Sequence, residues 1–271
     1  MHIKQTMLEE FGFLSIRGRD AIKFLQGYTT CDLDDLDDQV SLKGAICNIQ
    51  GRMLASFRVI RTAEDALMLR MHRDLVVPTL DFLTKYIVFS KATMTNECDL
   101  HCIGAWQAET LPVDHFTHAE KDYIVSCGNG RFERWTPEPE PIDATIVERW
   151  LDADINNGLA WVSPATSETF LPQMFNYHNV DAISFSKGCY LGQEIVARAQ
   201  YKGDLKRRLF RAEGLATPPP LPGESLNNIE GRTLGTIIAA SSTQFLAVLS
   251  AREPTDVLIN GTQINVRPVD D

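Results

Sequence analysis

The chain has 271 residues, and its 26 lysines and arginines against 36 aspartates and glutamates give a formal net charge of −10. This charge argues against a general nucleic-acid coat or a binder of anionic membranes, because both need a net positive field. The composition, 44% hydrophobic and 23% charged, is ordinary for a globular protein and unlike that of disordered, collagen-like or coiled-coil chains.

The cysteines and the apolar runs bear on the cellular compartment. Six cysteines in a chain of this length are too few for a disulfide scaffold. The first ten residues lack the apolar segment of a signal peptide, and no run of about 18 apolar residues could cross a membrane as a helix. We therefore expect a cytoplasmic protein with free thiols and no membrane association.

The N-terminal part mixes helix and strand patterns. Residues 12–17 alternate in the manner of a strand, and Asp20 is placed to cap a short helix that would end at Gly27 in the left-handed conformation. The apolar spacing predicts further helices over 74–86 and 142–156. Further strands are predicted over 52–60, 66–71, 100–106, 122–127 and 131–135.

An aspartate run follows the first predicted helix, at Asp32, Asp34, Asp35, Asp37 and Asp38. In a calcium-binding loop the sixth position must be glycine and the twelfth a bidentate glutamate, but this chain has Asp37 and Lys43 there. The pattern therefore predicts an exposed acidic turn and no calcium site.

The pattern changes after residue 205, where short strands are predicted over 206–213, 232–240 and 244–250. The dipeptide Asn260-Gly261 between apolar runs is typical of a type I′ hairpin. We therefore predict an α+β fold with two domains. These are a mixed α/β region over 1–204 and a small C-terminal β-barrel over 205–271.

A spacing close to that of a zinc finger relates Cys98, Cys102, His115 and His118. Pro112 would break the helix that should carry the second ligand pair, and the two histidines are one residue too close. The segment 98–118 also has no lysine or arginine with which to contact phosphates. We therefore predict scattered core and surface residues there, and no metal.

The most informative stretch is residues 183–198, Ile-Ser-Phe-Ser-Lys-Gly-Cys-Tyr-Leu-Gly-Gln-Glu-Ile-Val-Ala-Arg. A helical pattern begins near Gly192, so Cys189 is expected in a loop that leads into a helix N-terminus. Backbone N–H groups, the positive end of the helix and the Lys187 amine would each favour a thiolate over a thiol. A reactive thiol is one interpretation, and a small buried hydrophobic side chain is the other.

The motif Lys187-Gly-Cys-Tyr-Leu-Gly-Gln-Glu194, followed by Ala197-Arg198, resembles the signature of the YgfZ family of folate-binding proteins. These are relatives of the tetrahydrofolate-dependent aminomethyltransferase of the glycine cleavage system. The resemblance covers most of the chain and includes blocks within 18–32, 44–53 and 170–173. It implies an aminomethyltransferase-like folate-binding α/β region with a barrel behind it.

The resemblance also implies roles for the motif residues. The family's activity is thought to depend on the motif cysteine, here Cys189. Lys187, Gln193 and Glu194 would shape its loop, and Arg198 would offer charge to an anion. Members of the family support iron–sulfur protein maintenance and, through it, tRNA modification. The expected cofactor is tetrahydrofolate, and the expected partners are iron–sulfur proteins or tRNA-modifying enzymes.

Two aromatic residues are expected at the folate site on the same ground. By position, Phe11 and Trp150 would lie against the pterin, and offset stacking of flat rings adds about 0.5–1.5 kcal/mol beyond the buried area. Phe11 departs from the family's tryptophan and loses area and an indole N–H. Ordinary core packing is the alternative interpretation of both rings.

One departure separates this chain from the transferases. Those enzymes carry a Gly-Gly-x-x-Asp-Asp block, and alignment by Gly51 puts Ala55 and Ser56 at the two aspartate positions. Neutral side chains cannot orient the aminomethyl nitrogen as a carboxylate would. A folate-dependent one-carbon transferase stays open as an alternative. A metal or cluster carrier that uses Cys189 is another, although the chain has no Cys-x-x-Cys pair.

A basic stretch on this acidic chain contains Arg198, Lys202, Lys206, Arg207, Arg208 and Arg211. It could form a patch for a polyanion, such as the polyglutamate tail of folate or an RNA backbone. The other interpretation, which we favour, is the charged face and edge protection of the first barrel strand. Few aromatic residues are interleaved with it, so stacking on single-stranded RNA is not supported.

Overall fold

A computed structural model describes residues 4–107, 111–201, 205–213 and 218–269. The elements before the barrel are, in chain order, β1 (Lys4–Met7), β2 (Phe11–Arg17), α1 (Ala21–Gln26), β3 (Leu42–Cys47), β4 (Met53–Ala63), β5 (Ala66–His72), α2 (Arg73–Thr84), β6 (Thr93–Asn96), β7 (His101–Trp106), β8 (Phe116–Ala119), β9 (Asp122–Gly128), β10 (Arg131–Thr136), α3 (Ala144–Asn156) and α4 (Gln193–Tyr201). No helix in this described part is long and apolar enough to span a membrane.

Two five-stranded antiparallel sheets form the N-terminal part, with strand orders β3-β4-β5-β2-β6 and β1-β7-β10-β9-β8. They pack through apolar side chains from both sheets, and the Phe13 and Trp135 rings meet with their centroids 5.3 Å apart. Strand β10 shows why its sequence suits this position. Arg131, Glu133 and Trp135 alternate along the strand and are buried, whereas the intervening side chains are more exposed.

The predicted helices α2 and α3 are confirmed, whereas the ends of α1 differ from the prediction. Asp20 precedes α1, but its carboxylate accepts from the backbone N–H of Lys91 at 2.7 Å and makes no cap. Gly27 has a right-handed φ of −78°. The N–H groups of Gly27 and Tyr28 bond to the carbonyls of Phe24 and Leu25, so the chain leaves the helix without a left-handed residue.

The C-terminal part is a closed six-stranded barrel, which confirms the predicted barrel. Its strands are β11 (Arg208–Glu213), β12 (Ser225–Asn227), β13 (Thr233–Ala240), β14 (Gln244–Leu249), β15 (Thr255–Ile259) and β16 (Thr262–Pro268). The proposed boundary at 204 lies outside the described residues. Asp152 of α3 joins the two parts, because its carboxylate accepts from Ser241 at 2.5 Å and from Thr243 at 2.8 Å.

The hairpin predicted at Asn260-Gly261 joins β15 to β16. Ile259 pairs with Thr262, so the loop has two residues, and φ is +50° at Asn260 and +79° at Gly261. Both values are positive, as a type I′ turn requires.

We expect Gly261→Ala to lower the free energy of unfolding by about 1–2 kcal/mol, because alanine in the left-handed region strains the backbone. A Cβ at Gly261 would meet no atom within 4 Å, so crowding adds nothing. Gly261→Asn is the control, since asparagine tolerates this region and should lose less stability. Urea unfolding measures both. Equal losses for the two variants would contradict the type I′ assignment.

Candidate functional site

The loop that carries Cys189 is built on the segment after α1. The N–H of Ser184 donates to the Thr30 carbonyl at 2.8 Å, and the N–H of Leu191 donates to the Gly27 carbonyl at 3.0 Å. The Thr30 hydroxyl donates to the Ala182 carbonyl at 2.6 Å. Two sequence blocks that lie about 160 residues apart therefore hold one loop in place.

Lys187 anchors this loop from inside. Its side chain is buried, and Nζ donates to the carbonyls of Gln26 at 2.9 Å, Thr29 at 2.8 Å and Cys31 at 2.6 Å. Burial lowers the pKa of the amine, against the opposing effect of Cys31 and Asp32. The amine is directed at these carbonyls, so it ties the cysteine loop to the turn after α1.

Cys189 is exposed, unlike the buried Cys31, Cys47 and Cys102. The interpretation of Cys189 as a small buried hydrophobic side chain is therefore wrong. The thiol precedes α4 by four residues, and Gly192 in between takes a φ of +83° where its backbone packs closely on Gly51. The loop thus enters the helix as predicted.

The other predicted motif residues lie along α4. Gln193 is its first residue, and its N–H donates to the Tyr190 carbonyl at 3.1 Å. Glu194 lies in the first turn and Arg198 in the last, and both side chains are exposed. A carboxylate in the first turn suits the positive end of the helix.

A cavity of about 350 Å³ lies between the two sheets and the segments after α3. Its size is within the range of small-molecule sites, about 300–1,000 Å³. It is lined by Lys43, Arg58, Val113, Asp114, Cys127, Gly128, Asn129, Arg131, Glu133, Asp154, Asn157, Leu159, Trp161, Val180 and Asp181. The lining is therefore dense in charged side chains, with a single tryptophan.

The charges are organised by an ion pair between the sheets. Arg58 and Arg70 are directly opposite on β4 and β5, an arrangement that repulsion would disfavour without an anion. Glu133 of the other sheet supplies it, accepting from Arg70 Nη2 at 2.8 Å and lying 4.0 Å from Arg58 Nε. Burial raises the pKa of Glu133, but Arg70 and Arg58 more than offset this and hold it below its usual range.

Two further carboxylates, those of Asp154 and Asp114, complete the charged lining. Arg131 donates to Asp154 at 2.7 Å, and burial raises the pKa of Asp154 against the opposing effect of that arginine. Lys43 and Arg58 both bind Asp114. Burial tends to raise the pKa of Asp114, but Arg58 and Lys43 lower it below its usual value. The cavity therefore presents fixed charges of both signs.

The aromatic ring at the cavity differs from the two that were predicted. Trp161 lines it, and the Arg70 guanidinium lies 3.9 Å from the centroids of both Trp161 and Phe11. Trp150 lies beneath Arg131, 4.9 Å from its guanidinium. Phe11 and Trp150 are buried and are not among the lining residues, so their contact with a folate stays a prediction.

The remaining candidates lie elsewhere. Cys98 is exposed, Cys102 is buried and His118 stacks on Tyr123, with ring centroids 4.8 Å apart. The described residues contain no cluster of three metal-ligating side chains. In the basic stretch, Arg211 donates to the Asn156 carbonyl at 3.0 Å and Lys202 lies outside the described residues.

No family model matches the chain. A relative from Sodalis glossinidius, named tRNA-modifying protein YgfZ, is 33% identical over 270 residues, covering 88% of this chain and 81% of that protein. A protein of the same name from Pectobacterium carotovorum is 31% identical and is covered over 79% of its length. The chain belongs to the YgfZ family. The predicted family is thereby confirmed.

The predicted fold class is confirmed by a solved structure. The glycine cleavage system aminomethyltransferase T from Bartonella henselae matches with a TM-score of 0.72, over 98% of this chain and 85% of that one. The two sequences are 13% identical, so this YgfZ family member shares the aminomethyltransferase-like fold and the match shows the fold alone.

Sequence reasoning missed most of the cavity. Trp161 follows α3 in an irregular segment and carries no motif. Arg58 and Arg70 did leave a signal, because each interrupts an apolar run in a pair of strands that was predicted correctly. A charge in the middle of a buried strand needs a partner, and the partner lies on another sheet.

We expect Glu133→Gln to lower the free energy of unfolding at pH 7 by about 3–5 kcal/mol, because the buried Arg70 guanidinium loses its anion and Arg58 keeps only Asp114. Glu133→Gln should lose less at acid pH. The folded pKa of Glu133 is depressed, so its contribution is complete above the ordinary glutamate pKa and disappears as pH falls through the folded value. Urea unfolding at several pH values measures this, with the exposed Glu138→Gln as control. A loss that does not depend on pH would contradict the ion-pair account.

Proposed function

We propose that this protein binds tetrahydrofolate in the cavity between the two sheets. With it, the exposed thiol of Cys189 supports iron–sulfur protein maintenance and, through it, tRNA modification. The observation that carries the proposal is the lining of the cavity, which combines one aromatic face with buried donors and acceptors. Membership of a family whose relatives are named tRNA-modifying proteins supports the last part.

The donors and acceptors fit a pterin. The ring presents an amino group and a ring N–H beside an oxo group, so it needs acceptors and a donor together. Glu133 and Asp154 offer carboxylate oxygens in the lining. Arg58 Nε is a buried N–H group of a lining residue without a hydrogen-bond partner among the described residues, and an oxo oxygen would satisfy such a donor.

One aromatic residue would contact the pterin directly, and two others would support charged side chains near it. Trp161 offers a ring to the pterin, because it lines the cavity. Phe11 and Trp150 stay in the proposal as folate-site residues. Trp150 contacts the guanidinium of Arg131, which lines the cavity. Phe11 contacts Arg70, which in turn binds the lining Glu133, so both rings would help to fix the charges that face the ligand.

The thiol would act at the end of the same segment. Residues 180 and 181 line the cavity, and the chain then runs through the loop to Cys189. Lys187 holds this loop, Gln193 and Glu194 begin the helix behind it, and Arg198 offers an exposed positive charge one turn further on. An exposed cysteine at a helix entrance is the arrangement that redox and nucleophilic thiols use.

Transferase chemistry is not part of the proposal. Ala55 and Ser56 are both buried, and the Ser56 hydroxyl accepts from the N–H of Val162 at 2.8 Å. Neither can serve as the acid that the transferases place there. An assay for aminomethyl transfer to tetrahydrofolate distinguishes the two functions.

We expect Trp161→Ala to weaken tetrahydrofolate binding by about tenfold, because a stacked ring contributes about 0.5–1.5 kcal/mol beyond its buried area. Anaerobic calorimetric titration measures the affinity. Trp161→Phe is the matched control, because it keeps an aromatic ring at this position and should retain most of the affinity. If the wild type binds tetrahydrofolate and Trp161→Ala binds it with the same affinity, the pterin does not lie against Trp161.

We expect Cys189→Ala to abolish the recovery of iron–sulfur enzyme activity and tRNA modification in a strain that lacks this protein, with tetrahydrofolate affinity retained. Cys98→Ala removes the other exposed thiol and should restore both activities fully. Full recovery by Cys189→Ala would refute the role of the thiol while leaving folate binding untouched.

A further inference from the structure

An apolar surface projects from the protein immediately after α2. Residues 87–89 form a short 3-10 turn, in which the Phe89 side chain is 98% exposed and that of Val88 is 72% exposed. Tyr86, directly before the turn, is also exposed. We call Tyr86, Val88 and Phe89 the 86–89 patch. In the isolated chain, the Phe89 side chain removes almost none of its apolar area from water. Contiguous exposed apolar groups of this kind mark interaction sites.

The 86–89 patch adjoins the cysteine loop. The Tyr86 ring contacts the Tyr28 ring with centroids 5.0 Å apart. Tyr28 follows Gly27, whose carbonyl accepts from the N–H of Leu191, two residues after the thiol. The patch is therefore connected to the cysteine loop through Tyr28 and Gly27.

One carboxylate, that of Asp20, accepts from the backbone N–H of Lys91, but two lysines border the patch. Lys85 and Lys91 flank it on either side, both are exposed, and neither makes an ion pair within the described residues. On a chain of net charge −10 this is a local exception. An apolar centre with a basic rim is complementary to an apolar pocket with an acidic rim.

We propose that the 86–89 patch is the docking surface for a protein partner. The partner has an apolar pocket that receives Phe89 and an acidic rim that faces Lys85 and Lys91, and docking brings it to the Cys189 thiol. This inference rests on the proposed role of the Cys189 thiol, but it does not depend on folate binding.

A protein suits this surface better than RNA. Val88 offers no flat face on which a base could stack. A run of aspartates lies near the route from the patch to the thiol. It begins at Asp32, whose carboxylate accepts from the side-chain amide of Gln26 at 2.6 Å, and Gln26 directly precedes Gly27. These carboxylates would repel a phosphate backbone that extended from the patch toward the thiol.

The first test uses the full-length chain with a photoactivatable phenylalanine analogue at position 89, expressed in the strain that lacks this protein. We expect one cross-linked protein, identified by mass spectrometry, that disappears when Lys85→Glu and Lys91→Glu are added. The same analogue at Ile229, an exposed apolar residue in a barrel turn, should give no such product.

The second test asks whether docking matters. We expect Phe89→Asp to reduce the recovered iron–sulfur enzyme activity at least tenfold, with unchanged thermal unfolding and tetrahydrofolate affinity, and Ile229→Asp to recover fully. Four results would each overturn the inference. They are a nuclease-sensitive product, a product that is a dimer of this chain, the same product at 229 as at 89, and full recovery by Phe89→Asp.

Discussion

The carboxylate of Glu133 joins the two sheets at the charged centre of the cavity lining. It comes from one sheet and binds two arginines that face each other on adjacent strands of the other. Without it, Arg70 would lose its ion pair and Arg58 would keep only Asp114, so two buried guanidinium groups would face each other with one anion. With it, both sheets can be apolar around a charged centre. That centre supplies the polar groups that a flat heterocycle needs.

The cysteine loop, too, is held in place by a buried charged side chain. The buried Lys187 amine satisfies three carbonyls that the turn after α1 leaves without partners in a helix or strand. The blocks that resemble the family signature meet here, since Gly51 packs against Gly192 and Gln173 donates to the Val196 carbonyl at 2.7 Å. Much of that signature therefore specifies the scaffold that presents one thiol, and the cavity is specified by residues outside it.

This division explains what the sequence could predict. The β4–β5 pair, α3, the barrel and the type I′ hairpin follow from local patterns of apolar residues and turn residues, and all are present. The cap at the start of α1 was mispredicted because the backbone N–H of Lys91, distant in sequence, donates to the carboxylate of Asp20. Trp161 and the partners of Arg58 and Arg70 depend on how two sheets face each other, which no local pattern encodes. The position of Cys189 before a helix could be predicted from the sequence, because both a motif and the start of a helical pattern mark it.

The measurement that tests the central claim most directly is a crystal structure of the protein with tetrahydrofolate bound. The account predicts the pterin between the two sheets, against the Trp161 ring and within hydrogen-bond distance of the Glu133 or Asp154 carboxylate. A folate bound elsewhere, for example in the polar groove beside the barrel that Arg211 and Arg267 line, would contradict it. In that case the ion pairs between the sheets would have a role in stability alone.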